Sequence, residues 1–337
     1  MAKKVVVIGG GTGTYTVLSG LKKYPLEITA IVSMADSGGS AKKERDEWGL
    51  LPVSDVRKAL LALSGEEGQE GLLRELLNYR FAEGIGVEGT TFGNLFLVAL
   101  SNILGSQEKA IGELGKILKI KGRVLPVTLD QTNLVAEYDE GVTVVGEHEI
   151  DEPKHDGRLG IQKIYLLPSA KAYPPATVAI RKADLVVLGP GDLFTSLLPP
   201  LIVEGIPEAL KKSKAKKLYI LNLMNRYGQT YGFTASKFLS VLNEYLEEVA
   251  FDYVLVNNAP VPGGILRHYA SKEKSFPVEY DLPAGRHGLR DDGIKIIRGD
   301  FLSRRVVEPQ PGDKLKRSLL RHDPEKTAKA IIGLLED

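Results

Sequence analysis

Gly9-Gly10-Gly11-Thr12-Gly13-Thr14 is the stretch of this sequence best equipped to hold an anion. Four glycines in five residues open the backbone N–H groups to an approach that a Cβ would block. The β-branched run Val5 to Ile8 precedes the loop, and a helical pattern carrying Val17, Leu18 and Leu21 follows it. Strand, glycine loop and helix in that order aim the positive end of a helix dipole at a phosphate. The spacing is not the dinucleotide pattern G-x-G-x-x-G, whose third glycine would fall on Thr14 or Thr16. Nor does a Lys-Ser/Thr pair follow, as a Walker A loop requires.

Further polar clusters sit where strands should end. Asp36-Ser37-Gly38-Gly39-Ser40 follows the apolar run Glu27–Ser33. Asp36 lies where a ribose-binding acid could sit, or it caps the next helix; Ser37 and Ser40 could donate to phosphate or sugar hydroxyls, or cap. Ser54 or Asp55 caps the start of the next helix, or Asp55 and Arg57 at that start form a pair that orients a phosphate or a metal-bound water. Phe92-Gly93-Asn94 opens a nearly wholly apolar helix, whose body is expected to be buried all round and whose polar start is expected to reach a cleft. Gly189-Pro190-Gly191-Asp192 continues to Thr195 and Ser196 after another strand pattern, and Asn222, Asn225, Gln229 and Thr230 follow the next. Arg286, His287 and Arg290 could touch an anion or lie in a solvated loop.

The catalytic inventory is narrow. The five histidines form no i, i+4 pair, so no zinc helix is expected. The residue two after Ser40 is Lys42, which excludes a nucleophile elbow there. With no cysteine, thiol catalysis and thiolate metal sites are excluded. What is left is carboxylate, hydroxyl and glycine-loop chemistry. It suits a phosphorylated ligand held directly or through Mg²⁺, with Asp36, Asp55 and Asp192 as candidate acids or metal ligands. No metal ligand stands out among them, Asp55 being a possible one.

The elements that must position these residues alternate in α/β order. Repeated strand-then-polar-loop steps argue for an open parallel sheet with a polar cleft along one edge. A β-rich insertion is expected over 122–168, an irregular segment over 260–306, and a closing helix over 323–336 begun by His322-Asp323-Pro324. Pro199 and Pro200 are expected to break the chain before a helix at about Leu201 to Lys212. All of this fits one domain over 1–337. Lys and Arg exceed Asp and Glu by 44 − 43, or +1, which gives no reason to expect nucleic acid as a partner. No apolar run reaches membrane-spanning length and no signal peptide is evident, so a cytoplasmic protein is expected. A homodimer is the expected assembly, being the commonest closed one.

Taken together, I-G-G-G-T-G-T at 8–14, A-D-S-G-G-S at 35–40, L-P-V-S-D-V-R at 51–57, F-G-N-L-F at 92–96, G-R-V-L-P-V-T at 122–128, A-D-L-V-V-L-G-P-G-D-L-F-T-S at 183–196 and N-L-M-N at 222–225 form an ordered set. Gln229-Thr230 and the H-D-P start complete it. The set resembles the YvcK-type gluconeogenesis factors and, more distantly, the CofD-type 2-phospho-L-lactate transferases. The resemblance implies a Rossmann-like, doubly wound, mostly parallel sheet that binds a nucleotide or nucleotide sugar. In the gluconeogenesis-factor branch that ligand is similar to UDP-N-acetylglucosamine, and the role is in central carbon metabolism and cell-wall or cell-shape control without established turnover. The transferase branch implies a guanylyl-activated phospholactate donor and Mg²⁺.

This chain departs from the family pattern. Asp36-Ser37-Gly38-Gly39-Ser40-Ala41-Lys42 stands where Asp-Asp-Gly-Gly-Ser-Ser-Gly is usual, and Ser54 replaces a glycine before Asp55. Asp192 replaces a serine, and Asn225-Arg226-Tyr227-Gly228-Gln229-Thr230 stands for Thr-Gln-Pro-Gly-Glu-Thr. Two carboxylates are thereby lost, which weighs against transferase-type metal catalysis.

Overall fold

The fold is that of a computed structural model, which describes residues 2–35, 37–38, 49–246, 249–282, 293–304 and 319–336. Strand β1 (Lys3–Gly9) carries the run Val5 to Ile8, fully buried, as expected of a central parallel strand covered on both faces. Helix α1 (Gly11–Leu21) returns to β2 (Leu26–Val32), which pairs parallel with β1. Then come α2 (Ser54–Leu63), α3 (Gly68–Asn78), α4 (Phe92–Leu104) and α5 (Gln107–Ile117). Strand β3 (Arg123–Pro126) pairs parallel with β2.

Three antiparallel strands form a separate small sheet in the order β5-β4-β6: β4 (Asn133–Tyr138), β5 (Thr143–Val145) and β6 (Ile161–Leu167). Between β5 and β6 lies the short helix α6 (Glu147–Asp151). After α7 (Pro174–Lys182), strand β7 (Leu185–Leu188) pairs with the other edge of β1. A π-helical turn Leu193–Leu197, α8 (Leu198–Leu201) and α9 (Ile206–Lys212) lead to β8 (Lys216–Ile220). Helix α10 (Ala235–Leu246), β9 (Tyr253–Asn257), α11 (Gly263–His268), β10 (Lys295–Gly299) and α12 (Pro324–Glu336) complete the chain.

The main sheet is parallel throughout, in the order β10-β9-β8-β7-β1-β2-β3. From β1 the chain steps one way to β2 and β3; from β7 it steps the other way. Right-handed crossovers running in opposite directions place their helices on opposite faces, which is the doubly wound α/β architecture. The order reverses between β1 and β7, so their carboxyl ends diverge and leave a crevice. Among the described residues no helix is long and apolar enough to cross a membrane.

Four expectations are corrected. The stretch Arg123 to Leu129 opens with β3, an edge strand of the main sheet; only Asn133–Leu167 forms the insertion's sheet. The segment 260–306 contains α11 and a parallel strand, β10, as well as loop. Pro199 and Pro200 sit buried inside α8, because proline is tolerated in a helix's first turn, where its missing N–H has no partner to lose. Helix α4 buries one face only: Leu97, Val98 and Ser101 are buried while Ile103 is 77% exposed.

Candidate functional site

Two glycine loops meet in the crevice. A Cβ on Gly13 would lie 1.9 Å from the Pro190 carbonyl oxygen, so the first turn of α1 touches the loop after β7 backbone to backbone. Gly11 has φ +65°, the left-handed region open to glycine, and lies beside the Ser196 hydroxyl. Helix α1 starts with Gly10 as cap, without a side-chain cap bond and without an acidic residue in its first turn. Its positive end therefore faces the crevice without a capping side chain of its own, which is what an anion requires. The Thr14 hydroxyl turns back to donate to the Gly10 carbonyl at 3.1 Å, and Thr16 does the same to Thr12 at 3.0 Å. Gly9, Gly10 and Thr12 thus offer the loop backbone, and Thr14 shapes it.

Asp55 stands at the edge of this loop: its Oδ2 is 2.4 Å from where a Gly10 Cβ would be. Ser54 and Asp55 form the first turn of α2, and neither provides a side-chain cap, contrary to the capping expectation. Lys58 one turn on bonds the Asp55 carboxylate at 2.9 Å. Arg57 is buried on the opposite side of that turn. It donates from Nε to Asn94 Oδ1 at 2.9 Å and from a terminal nitrogen to Asn78 Oδ1 at 2.8 Å. Asn94 in turn donates to the Ser54 hydroxyl at 3.2 Å, Gly93 lies against the Arg57 stem, and Phe92 packs on Phe96. The Phe92-Gly93-Asn94 start of α4 is therefore a buried brace that locks α2 behind Asp55.

The other wall is an ion cluster. Arg226 donates to Asp192 Oδ2, pairs with Asp151 Oδ2 at 3.5 Å, and donates to the Asp151 carbonyl at 3.2 Å. Asp151 Oδ1 accepts from Thr195 at 2.8 Å and from Gln229 at 2.6 Å. Burial raises the Asp151 pKa, with Asp192 adding to the rise and Arg226 opposing it. For Arg226, burial disfavours the charge, yet the carboxylates of Asp192 and Asp151 outweigh it and hold the guanidinium ionised.

Helix α6 also reaches across to the first half of the sheet. The backbone N–H of His148 donates to the Ser37 hydroxyl at 3.1 Å, the Ser37 hydroxyl bonds Glu149 at 3.3 Å, and Gly38 lies against the His148 side chain. The small antiparallel sheet thus delivers a helix that touches the loops after β2 and β7 together. Asn222 ties the end of β8 to the Gly191 carbonyl at 2.7 Å, within the loop that begins at Gly189. Asn225 and Thr230 bond within the protein: Asn225 accepts from the Phe276 N–H at 2.9 Å, and Thr230 accepts from the Arg226 N–H at 2.9 Å. Asp36, Gly39, Ser40, Arg286, His287 and Arg290 lie outside the described residues.

Sequence reasoning missed Asp151 and Arg226's role. Asp151 lies in a segment read as part of a β-rich insertion, and the only sign of Arg226 was its departure from the family pattern. It also missed a cavity of about 320 Å³ beside the same turn, walled by Tyr227, Tyr231, Phe276, Arg158 and Lys274. There Lys274 Nζ sits 4.6 Å from the centre of the Tyr227 ring.

Among the described residues, the acids beside the glycine loops each already carry a cation of the chain, which a divalent ion would have to displace or adjoin. A hard cation needs free carboxylate oxygens. Asp55 holds Lys58, while Asp151 and Asp192 share Arg226. Among the described residues no three His, Asp or Glu side chains gather as a metal-holding group.

A doubly wound parallel sheet with glycine loops facing its switch point defines a Rossmann-like protein. The family model described as 2-phospho-L-lactate transferase CofD matches residues 5–302. The gluconeogenesis factor of Halalkalibacterium halodurans is 40% identical over 331 residues, covering 98% of this chain and 96% of its own. That of Bacillus subtilis is 37% identical over 335 residues, covering 99% and 98%. A crystal structure of a Bacillus halodurans protein of the UPF0052 family superposes with TM-score 0.86 at 38% identity, covering 98% of this chain and 99% of that one. The chain belongs to the CofD-like family, in its YvcK-type gluconeogenesis-factor branch.

Proposed function

We propose that this chain is a cytoplasmic regulatory protein that binds a nucleotide sugar of the UDP-N-acetylglucosamine type, linked to central carbon metabolism and to cell-wall and cell-shape control. One observation carries the reading: the uncapped start of α1 lies against the loop after β7 at the point where strand order reverses. A diphosphate placed there would meet the amides of Gly11, Thr12 and Gly13 and the hydroxyl of Ser196. The acids nearest the loop are already paired with Lys58 and Arg226, which favours binding over acid–base turnover. Thermal unfolding with UDP-N-acetylglucosamine, UDP and GDP tests it. A ligand present at 100 times its Kd adds about 2.7 kcal/mol of stability. No stabilisation by any uridine or guanine nucleotide contradicts the reading.

The match to the CofD model favours a second reading, a Mg²⁺-dependent transferase acting on a guanylyl-activated phospholactate donor. It predicts a phospholactate transfer product with a deazaflavin acceptor, lost in Asp55→Ala. Mass spectrometry that finds no product while a nucleotide still binds removes it.

A further inference from the structure

We infer that Arg226 occupies, as a built-in counter-ion, the position a divalent cation would need between Asp151 and Asp192, so that the crevice takes its ligand's phosphates without a metal bridge. The inference extends the nucleotide-binding reading, and its first test does not depend on that reading. Two carboxylates from distant parts of the chain converge on one guanidinium, Asp151 from α6 and Asp192 from the loop after β7. Each terminal nitrogen of Arg226 faces a different carboxylate. The remaining oxygen of Asp151 is filled by Thr195 and Gln229, both buried. A planar, permanently charged fork suits two carboxylates better than an ammonium would. A second cation between these two carboxylates would have to displace the guanidinium or sit against its charge, which a hard ion does poorly. Asp55, the other acid beside the glycine loop, is likewise held by a cation of its own helix, Lys58. The charge that a metal would supply is thus present in the chain, and the phosphates are left to the amides of Gly11 to Gly13.

Mn²⁺ titration of the purified protein, followed by electron paramagnetic resonance, tests this directly. The wild-type protein should take up no Mn²⁺ at this pair. Arg226→Ser should gain one Mn²⁺ site, visible also as a rise in its melting temperature with Mn²⁺. The double variant Arg226→Ser/Asp192→Asn should lose the site, and Arg226→Lys, which keeps the charge, should not gain it. Circular dichroism shows that each variant is folded. Mn²⁺ uptake by the wild type that Asp192→Asn abolishes overturns the inference, as does a folded Arg226→Ser that gains nothing. A second arm measures UDP-N-acetylglucosamine binding by calorimetry in EDTA and in Mg²⁺. Affinities equal within about twofold support the inference, and a loss of roughly tenfold in EDTA contradicts it. No heat in either buffer counts against the nucleotide-sugar reading alone, and the Mn²⁺ arm still decides the role of Arg226.

Discussion

Gly13 is the residue on which the crevice closes. Gly13→Ala must push the first turn of α1 away from the Pro190 carbonyl, because backbone cannot yield as a flexible side chain does. Overpacking of this kind costs about 1–3 kcal/mol, so denaturant melts should show a loss in that range together with weakened nucleotide binding. Arg57 predicts a different phenotype. Its guanidinium satisfies Asn94 and Asn78 inside the protein, and Arg57→Met leaves both side-chain carbonyls without that donor. The expected cost is about 1–3 kcal/mol, arising at the buried Asn94, since water can reach the half-buried Asn78; it is read in the same melts, with no new ligand preference. The contrast explains what was legible at this scale. Gly13 could be read because a glycine cluster between strand and helix has a local signature. Arg57 was equally visible but open between two roles, and only burial against α4 shows what it bonds. Asp151 and Arg226 could not be read at all: they lie 75 positions apart, and tertiary folding alone brings them together.

At the scale of elements, the ends were easier to read than the middles. His322-Asp323-Pro324 announces a helix start, and the Asp323 carboxylate does accept from the backbone N–H groups of Glu325 and Lys326, both at 3.0 Å. Asp323→Ala should therefore cost about 1 kcal/mol, measured as a shift in the denaturation midpoint. Because α12 packs against α1, whose other end is the proposed phosphate site, the same variant tests whether ligand binding depends on that support. Strand β3 was misassigned because a short β-rich run looks the same whether it extends a parallel sheet or starts an antiparallel one. Its partner decides, and β2 lies some 90 residues away in the chain, as the Thr29–Arg123 register shows. Apolar composition likewise overstated the burial of α4. Composition counts residues around the whole helix, whereas packing against α3 and α5 covers only part of it.

The whole molecule carries a titration independent of its ligand. His322 is fully buried beside the start of α12, its Nε2 without a hydrogen-bond partner among the described residues, and burial lowers its pKa from 6.5 to about 4. The unfolded chain takes up a proton near pH 6.5 that the folded chain refuses until near pH 4. Stability from this group is therefore complete above pH 6.5 and is lost as pH falls toward 4. The loss is on the order of 3 kcal/mol, at 1.36 kcal/mol per pKa unit. Chemical denaturation across that range should show the slope, and His322→Leu should flatten it. At this scale the architecture was legible from rhythm, because each parallel strand ends in a polar loop. The role of the antiparallel insertion was not. Nothing in its strands signals that α6 would reach the loops after β2 and β7, and that contact turns two glycine loops into a walled crevice.

The central claim is that the crevice between β1 and β7 holds the diphosphate of a nucleotide sugar on the start of α1. Calorimetric titration of the wild-type chain with UDP-N-acetylglucosamine, repeated on Gly13→Ala, tests it most directly. Saturable binding at one site per chain, weakened roughly tenfold or more by Gly13→Ala, is the result expected for a ligand seated on that loop. Absence of binding to the wild type, or equal affinity in the folded variant, contradicts the claim.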